Sequence, residues 1–385
     1  MGTALPASAP AYLPAPAAPA APAAGAVGPP LALAAWWPGI HERVAGWFAK
    51  LPCPSSGQWS LAAQALHPWS VDATSLALDL AQMLGLPVPS AAAFAALDGQ
   101  QDATTGFFHE PHAAELDSAV PRIHEMSGTY LGYQVAAVML AADRTPRHRF
   151  AFYDPLMPAS RLERYMADNM PWDRAPMGAG NMCDHAATML RANAHFFDTG
   201  ALEPVRRMRR WLDAHQKADT GLWGSETAQG KNGLVQAGYH LMRGLHFFDN
   251  SPPAWCERIT DTTLASLAEC AAFADGQGDG CHDMDHFVVL ERMLHFTNGY
   301  REAAIRAWCA RRIEQLQHLH RADGGFSFEA AGSITNHNRH EVTRGQCQSD
   351  LVGTVFFLET LLRQCRVLGL PVAWRSSVTH GVRLG

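Results

Sequence analysis

Hydrophobic and polar positions along the 385-residue chain recur as one unit, written about six times. A turn rich in Asp and Gly leads into an apolar, aromatic segment; a more amphipathic segment follows, and the turn returns. The turn reads Gln100-Gln101-Asp102-Ala103-Thr104-Thr105-Gly106-Phe107, then Gln216-Lys217-Ala218-Asp219-Thr220-Gly221-Leu222-Trp223, then Arg321-Ala322-Asp323-Gly324-Gly325-Phe326. Asp275-Gly276-Gln277-Gly278-Asp279-Gly280 is a fourth copy, and the stretch from Trp172 to Gly178 is a degraded fifth. Apolar segments begin near Val71, Met126, Met182, Asn232, Asp283 and Ser349, at spacings of roughly 50 to 66 residues, which suits a helical-hairpin repeat with a variable loop. Each is apolar around most of its circumference, as a helix packed on all sides must be. The intervening segments 40–50, 159–169, 201–215, 259–271 and 299–318 are amphipathic. In 201–215, Val205, Met208 and Leu212 stand at helical spacing against a wet side of Arg206, Arg207, Arg209 and Arg210.

Alternating buried and half-wet helices predict an all-α fold. The expected architecture is an (α/α)6 toroid of about six helical hairpins over residues 35–385, with parallel inner helices and outer helices returning antiparallel. An open stack of hairpins is the alternative, and six copies rather than ten or more favour closure. Parallel inner helices bring their N-termini, with free N–H groups and positive dipole ends, to one mouth. Asp72, Glu125, Asp184 with His185, Lys231 with Asn232, Asp283 with Asp285, and Asp350 would converge there. Simple helix capping is the competing account of Asp72, Asn232 and Asp350.

Composition narrows the function classes. A content of 48% hydrophobic and 17% charged residues describes a globular protein with a large core. The formal charge of −6, with no basic stripe or recognition motif, argues against nucleic acid as a main partner. Eight cysteines without paired spacing point to a reduced, cytoplasmic setting rather than a disulfide framework. No stretch forms a clean transmembrane span; peripheral membrane contact and oligomeric state are left open. Residues 1–34, dominated by Ala and Pro, lack the cationic region and apolar core of a signal peptide. They read as a disordered, polyproline-like tail.

Candidate chemistry concentrates in Asp279-Gly280-Cys281-His282-Asp283-Met284-Asp285-His286, directly before the apolar run Phe287-Val288-Val289-Leu290. Capping needs one Asp. Three carboxylates, two histidines and a cysteine are excess polarity at the edge of a core, and such excess must be paired or used.

With their periodic recurrence, the Gln-rich, Asp-Gly-aromatic turns resemble the repeats of the α/α-toroid superfamily of class II terpene cyclases, squalene–hopene cyclases and protein prenyltransferase β subunits. The resemblance covers most of the chain from about Trp69 onward and would make this a short, single-toroid, bacterial-type member. Asp283-Met284-Asp285-His286 looks like the cyclases' Asp-x-Asp-Asp acid motif, with His286 where the last Asp should stand. The resemblance implies that Asp285 is the proton donor, Asp283 its tuning partner, and His282 or His286 an orienting or reprotonating group. Protonating an alkene or epoxide needs a carboxylic acid kept protonated by an apolar wall and a neighbouring carboxylate. The resulting cation needs aromatic shielding from water, for which Tyr130, Tyr133, Tyr239, Phe287 and Phe356 are candidates beside a plain packing role. Residues two apart do not share a helical face, so Asp283 and Asp285 meet one substrate only if the helix begins beside them. The implied substrate is an isoprenoid or similar apolar small molecule, with no cofactor.

Zinc is the alternative. Asp279-Gly280-Cys281 is like the zinc pair of the prenyltransferase β subunits, whose third ligand, a His, would fall about where Asp350 stands. Asp184, His185 and His240 are candidate acid–base groups or satisfied core residues. Asn336 to Glu341 is a polar insertion that reads as a lid with substrate contacts or as a solvated loop. Two further function classes stay in play. One is a carbohydrate-active (α/α)6 glycosidase, lyase or epimerase using Trp172, Trp223, Asp184 and Asp285; the other is a toroid that binds without catalysing. Overall, Asp285, Asp283 and His286 are the expected catalytic residues, and His282, Asp184, His185, Tyr239, Asp350 and Trp223 the expected substrate contacts.

Overall fold

The computed structural model describes residues 39–51, 57–112, 126–198, 200–270, 273, 279–338 and 340–381. The 1–34 tail, Glu125 and positions 275–278 of the fourth turn copy lie outside these residues. Among the described residues the protein is all-α, with one two-residue hairpin as its sheet.

In chain order the helices are α1 (Ile40–Phe48), α2 (Val71–Leu84), α3 (Ser90–Asp98), α4 (Met126–Ala141), α5 (Ala159–Arg164), α6 (Pro176–Phe197), α7 (Leu202–His215), α8 (Gly230–Leu241), α9 (Cys256–Glu269), α10 (Gly280–Phe296), α11 (Glu302–Leu316) and α12 (Leu351–Leu368). The strands are β1 (Asn336–His337) and β2 (His340–Glu341). The six segments that read as apolar all round are α2, α4, α6, α8, α10 and α12. In α2 every residue but Gln82 is buried. In amphipathic α7 the buried residues are Pro204, Val205, Met208 and Leu212, the single stripe that helical periodicity dictates.

The contacts run in a cycle. α2 packs on α4, α4 on α6, α6 on α8, α8 on α10, α10 on α12, and α12 back on α2. Outside that cycle α3 packs on α2, α7 on α6, α9 on α8 and α10, and α11 on α12 and α10.

The repeated turn has a repeated job. Gln101 Nε2 donates to Gly106 O at 2.8 Å, and its Oε1 accepts the His148 N–H at 2.7 Å. Gln216 does the same one unit on, donating to Gly221 O at 2.7 Å and accepting from Ala254 N at 3.0 Å. Each Gln therefore closes its own turn and ties it to the next unit. Gly106 has φ 79°, and a Cβ there would meet the Arg149 carbonyl oxygen at 2.1 Å, so only glycine fits.

Beyond α12 the chain turns back into the cycle of helices. Asp79, fully buried on α2, accepts hydrogen bonds from Ser377 Oγ (2.6 Å), Val378 N (2.8 Å), Thr379 N (3.2 Å) and Thr379 Oγ1. Glu359 on α12 accepts Ser377 N at 2.8 Å. Tyr133 donates to Thr379 O, and Tyr239 to His380 O. This inserted segment thus satisfies polar groups on four of the six inner helices. No described helix is long and apolar enough to cross a membrane.

Candidate functional site

A cavity of about 350 Å³ lies among the N-terminal and middle turns of the inner helices. Tyr130 comes from α4, Asn181 from α6, His240 from α8, Cys281 and Asp285 from α10, and Phe356 from α12. Met284, Phe328 and Val352 add apolar wall, the inserted segment supplies His380, and the hairpin supplies His337 and Asn338. Residues from five of the helices thus line one space. No Lys or Arg is among the described lining residues.

Asp285 is 2% exposed, and its Oδ1 has no hydrogen-bond partner. Burial pushes its carboxyl well above the ordinary range, with Asp279 and Asp184 adding to the rise and Arg243 opposing it. Burial of this kind favours the neutral form of a carboxyl.

Asp283 faces the other way. Its oxygens accept Arg312 Nε at 2.6 Å and Nη2 at 2.7 Å, and both partners are fully buried. Asp283 does not line the cavity and is not among the groups that move the Asp285 carboxyl. The expected tuning partnership between these two is therefore corrected, for the reason helix geometry supplies: positions two apart point about 200° apart. His286 also leaves the cavity. Its Nδ1 donates to His282 O at 2.7 Å and its Nε2 accepts Ser266 Oγ at 2.8 Å, which pins α10 to α9. Burial lowers its pKa to about 3, so it stays neutral. His282 stands beside Asp279, Nδ1 to Oδ1 at 2.8 Å, outside the cavity wall.

The zinc alternative finds no ligand set. Asp279 caps α10 by accepting His282 N at 3.0 Å. Asp350 caps α12, accepting Gly353 N at 2.7 Å, Phe328 N at 2.9 Å and Ile334 N at 3.1 Å. It is a satisfied cap rather than a substrate contact. Burial and the nearby Asp279 raise the Cys281 thiol well above its ordinary value, the reverse of what a thiolate ligand or nucleophile needs. No cluster of three or more potential metal ligands exists among the described residues.

Asp184 is fully buried behind the cavity. Burial alone would raise its pKa, but Arg243 and His240 outweigh it and hold the carboxyl below the ordinary value. Arg243 Nε donates to Oδ2 at 2.7 Å, and His240 Nδ1 lies 3.1 Å from the same oxygen. His185 pairs with Thr129 Oγ1 at 2.8 Å and stacks on Tyr133. Neither His185 nor Tyr239 lines the cavity. Trp223 is 1% exposed, with Nε1 donating to Leu212 O at 2.8 Å. Trp172 stacks on Trp211 and donates to Met166 O at 2.6 Å. Both tryptophans are packing residues, and neither offers a sugar platform to the cavity.

At the mouth, His337 Nδ1 pairs with Asp72, and Glu110 accepts Val71 N at 2.9 Å and Asp72 N at 2.8 Å. Of the polar insertion, His337 and Asn338 line the cavity. His380 escapes sequence reasoning altogether: it follows an unremarkable Ser-Ser-Val-Thr run and carries no periodic signal. No family model matches the chain, and no curated protein is similar to it.

Proposed function

We propose that the chain is an α/α toroid resembling the class II terpene cyclases. In this reading it protonates a carbon–carbon double bond or an epoxide of a neutral isoprenoid, with Asp285 as the acid. The observation that carries the reading is the unpartnered, buried Asp285 carboxyl at the wall of a mainly apolar cavity. Burying a polar group without a partner costs ~1–3 kcal/mol, a cost that a role in packing does not repay and a role as proton donor explains. The cycle of helix contacts supports the toroid.

The site also limits the substrate. Among the described lining residues there is no Lys or Arg, and His337 is already paired with Asp72, which favours an alcohol, epoxide or hydrocarbon over a diphosphate. The volume lies near the lower end of the ~300–1,000 Å³ usual for small-molecule sites, which suits a short terpenoid. On protonation, Phe356, Phe328 and Tyr130 supply aromatic faces to the cation. The sugar-active reading is weakened because Trp223 is buried and neither Trp223 nor Trp172 lines the cavity.

Incubation with farnesol and with its terminal epoxide in deuterated water tests the proposal. The expected result is a cyclised or isomerised product carrying one new deuterium, abolished in Asp285→Asn. Unchanged substrate in both incubations, or full activity in Asp285→Asn, overturns it.

A further inference from the structure

We infer that His240 is the base that ends the reaction Asp285 begins, with Asp184 and Arg243 as positioning residues behind it. The inference rests on the proposed function and adds a second catalytic group on a different helix.

Four histidines lie in or near the cavity, and what surrounds each ring differs. His185 is fully buried, held by Thr129 and stacked on Tyr133 at 4.8 Å. His337 is tied to Asp72, whose charge outweighs burial and raises its pKa, so it holds its proton. His380 also lines the cavity, but both its ring nitrogens are buried without a hydrogen-bond partner, so nothing fixes which of them carries the proton; its ring lies 4.2 Å from Phe356. Of the two cavity histidines that face a carboxylate, His240 is the one whose carboxylate is also held by an arginine.

The orientation follows from donor chemistry. Asp184, ionised against Arg243, offers only lone pairs. The His240 nitrogen facing it, Nδ1, must therefore carry the ring proton. Nε2 then holds the free lone pair of a neutral imidazole, the arrangement by which a carboxylate fixes a histidine base. Arg243 is itself fixed, donating to Thr379 O at 2.7 Å and lying 4.4 Å from the Tyr133 ring centroid. Burial depresses the His240 pKa, with Asp184 opposing and Arg243 adding to the fall. The ring is therefore free to accept a proton at neutral pH and quick to release it. Asp285, Cys281, Tyr130, His337 and His380 are the other titratable groups that line this space, and His185 lies near it.

The step balances. The Asp285 O–H proton bonds to one alkene carbon through the π pair, leaving the cation on the other carbon. Nε2 removes a proton from the carbon beside the final cation, and that C–H pair becomes a new double bond. Substrate and product share one composition, and the proton returns from His240 to Asp285 through solvent. An acid and a base on one dry cavity thus point to a redox-neutral isomerisation or cyclisation rather than hydration.

Two experiments test this. In 15N-histidine-labelled protein, His240 should be a neutral ring protonated at Nδ1 at neutral pH, and Asp184→Asn should scramble that tautomer. A ring protonated at Nε2, or an imidazolium, overturns the inference whether or not any substrate turns over. With farnesol and its epoxide, His240→Gln, which keeps a donor for Asp184, should still incorporate deuterium. It should lose the deprotonated product at least tenfold in favour of water-trapped alcohols and shift the pH profile. An unchanged product ratio and pH profile overturns His240 as the base while leaving Asp285 intact. Absence of wild-type turnover instead overturns the parent proposal, and the tautomer decides the geometry.

Discussion

Asp283 and Asp285 stand two residues apart on one helix, and their replacement should have opposite consequences. Asp283→Asn removes the charge that two short hydrogen bonds, 2.6 and 2.7 Å, place against Arg312. The guanidinium stays fully buried, left with Gln315 Oε1 at 3.1 Å and the Phe273 ring at 5.5 Å. Breaking a buried pair from one side costs ~3–5 kcal/mol. At ~2–4 °C per kcal/mol for a large domain, the thermal midpoint should fall by roughly 6–20 °C. Asp285→Asn swaps a neutral carboxylic acid for an amide of the same shape and breaks no ion pair, so its stability should change by no more than ~1 kcal/mol. Urea unfolding and thermal melts of both variants at pH 7 measure the contrast. Equal destabilisation by the two would refute the reasoning, because it would mean that Asp285 is ionised and paired.

Three further outcomes follow from the same geometry. Burial and Asp72 push Glu110 up to about 8, and Asp72 outweighs burial to raise His337; both hold protons when folded that the unfolded chain releases. Their contribution to stability should therefore be lost as pH rises from about 4.5 through 8, so Glu110→Gln should remove that share of the pH dependence of the melt; a variant whose pH dependence equals that of the wild type would contradict it. A chain ending at Leu370 removes the donors to Asp79 and Glu359. At ~1–3 kcal/mol per orphaned buried group it should be unfolded or insoluble, and a melt within a few degrees of the full chain would count against the inserted segment. A Cβ on Gly180 would stand 2.6 Å from Ala237 O, where α6 meets α8, so Gly180→Ala should cost ~1–3 kcal/mol in a denaturant titration.

The parts of this protein legible in its sequence are the local ones. Inner helices announced themselves because burial on all sides leaves no polar stripe, and the turns because Gln101 and Gln216 do the same work in each unit. Asp285 stood out because polarity before an apolar run needs an explanation. Its neighbours did not sort correctly. Asp283 and His286 share its motif, but the helix turns them towards Arg312 and Ser266, and no spacing rule reveals which partner waits there. Asp350 and Asp279 proved to be caps. Trp223 looked like a platform because indole composition is visible and indole burial is not. His240 was legible as a candidate, but Asp184 stands 56 positions from His240 and 59 from Arg243 along the chain and meets them only through packing. The insertion of residues 374–381 depends on Asp79, some 300 positions away, a distance over which a linear pattern carries no signal.

The central claim is that Asp285 is a neutral carboxylic acid in a poorly hydrated cavity. Isotope-edited infrared difference spectra of the wild-type protein and Asp285→Asn at neutral pH test it directly. The account predicts a protonated-carboxyl C=O stretch, at the frequency of a weakly hydrogen-bonded acid, that vanishes in the variant. A carboxylate band lost in its place would contradict it.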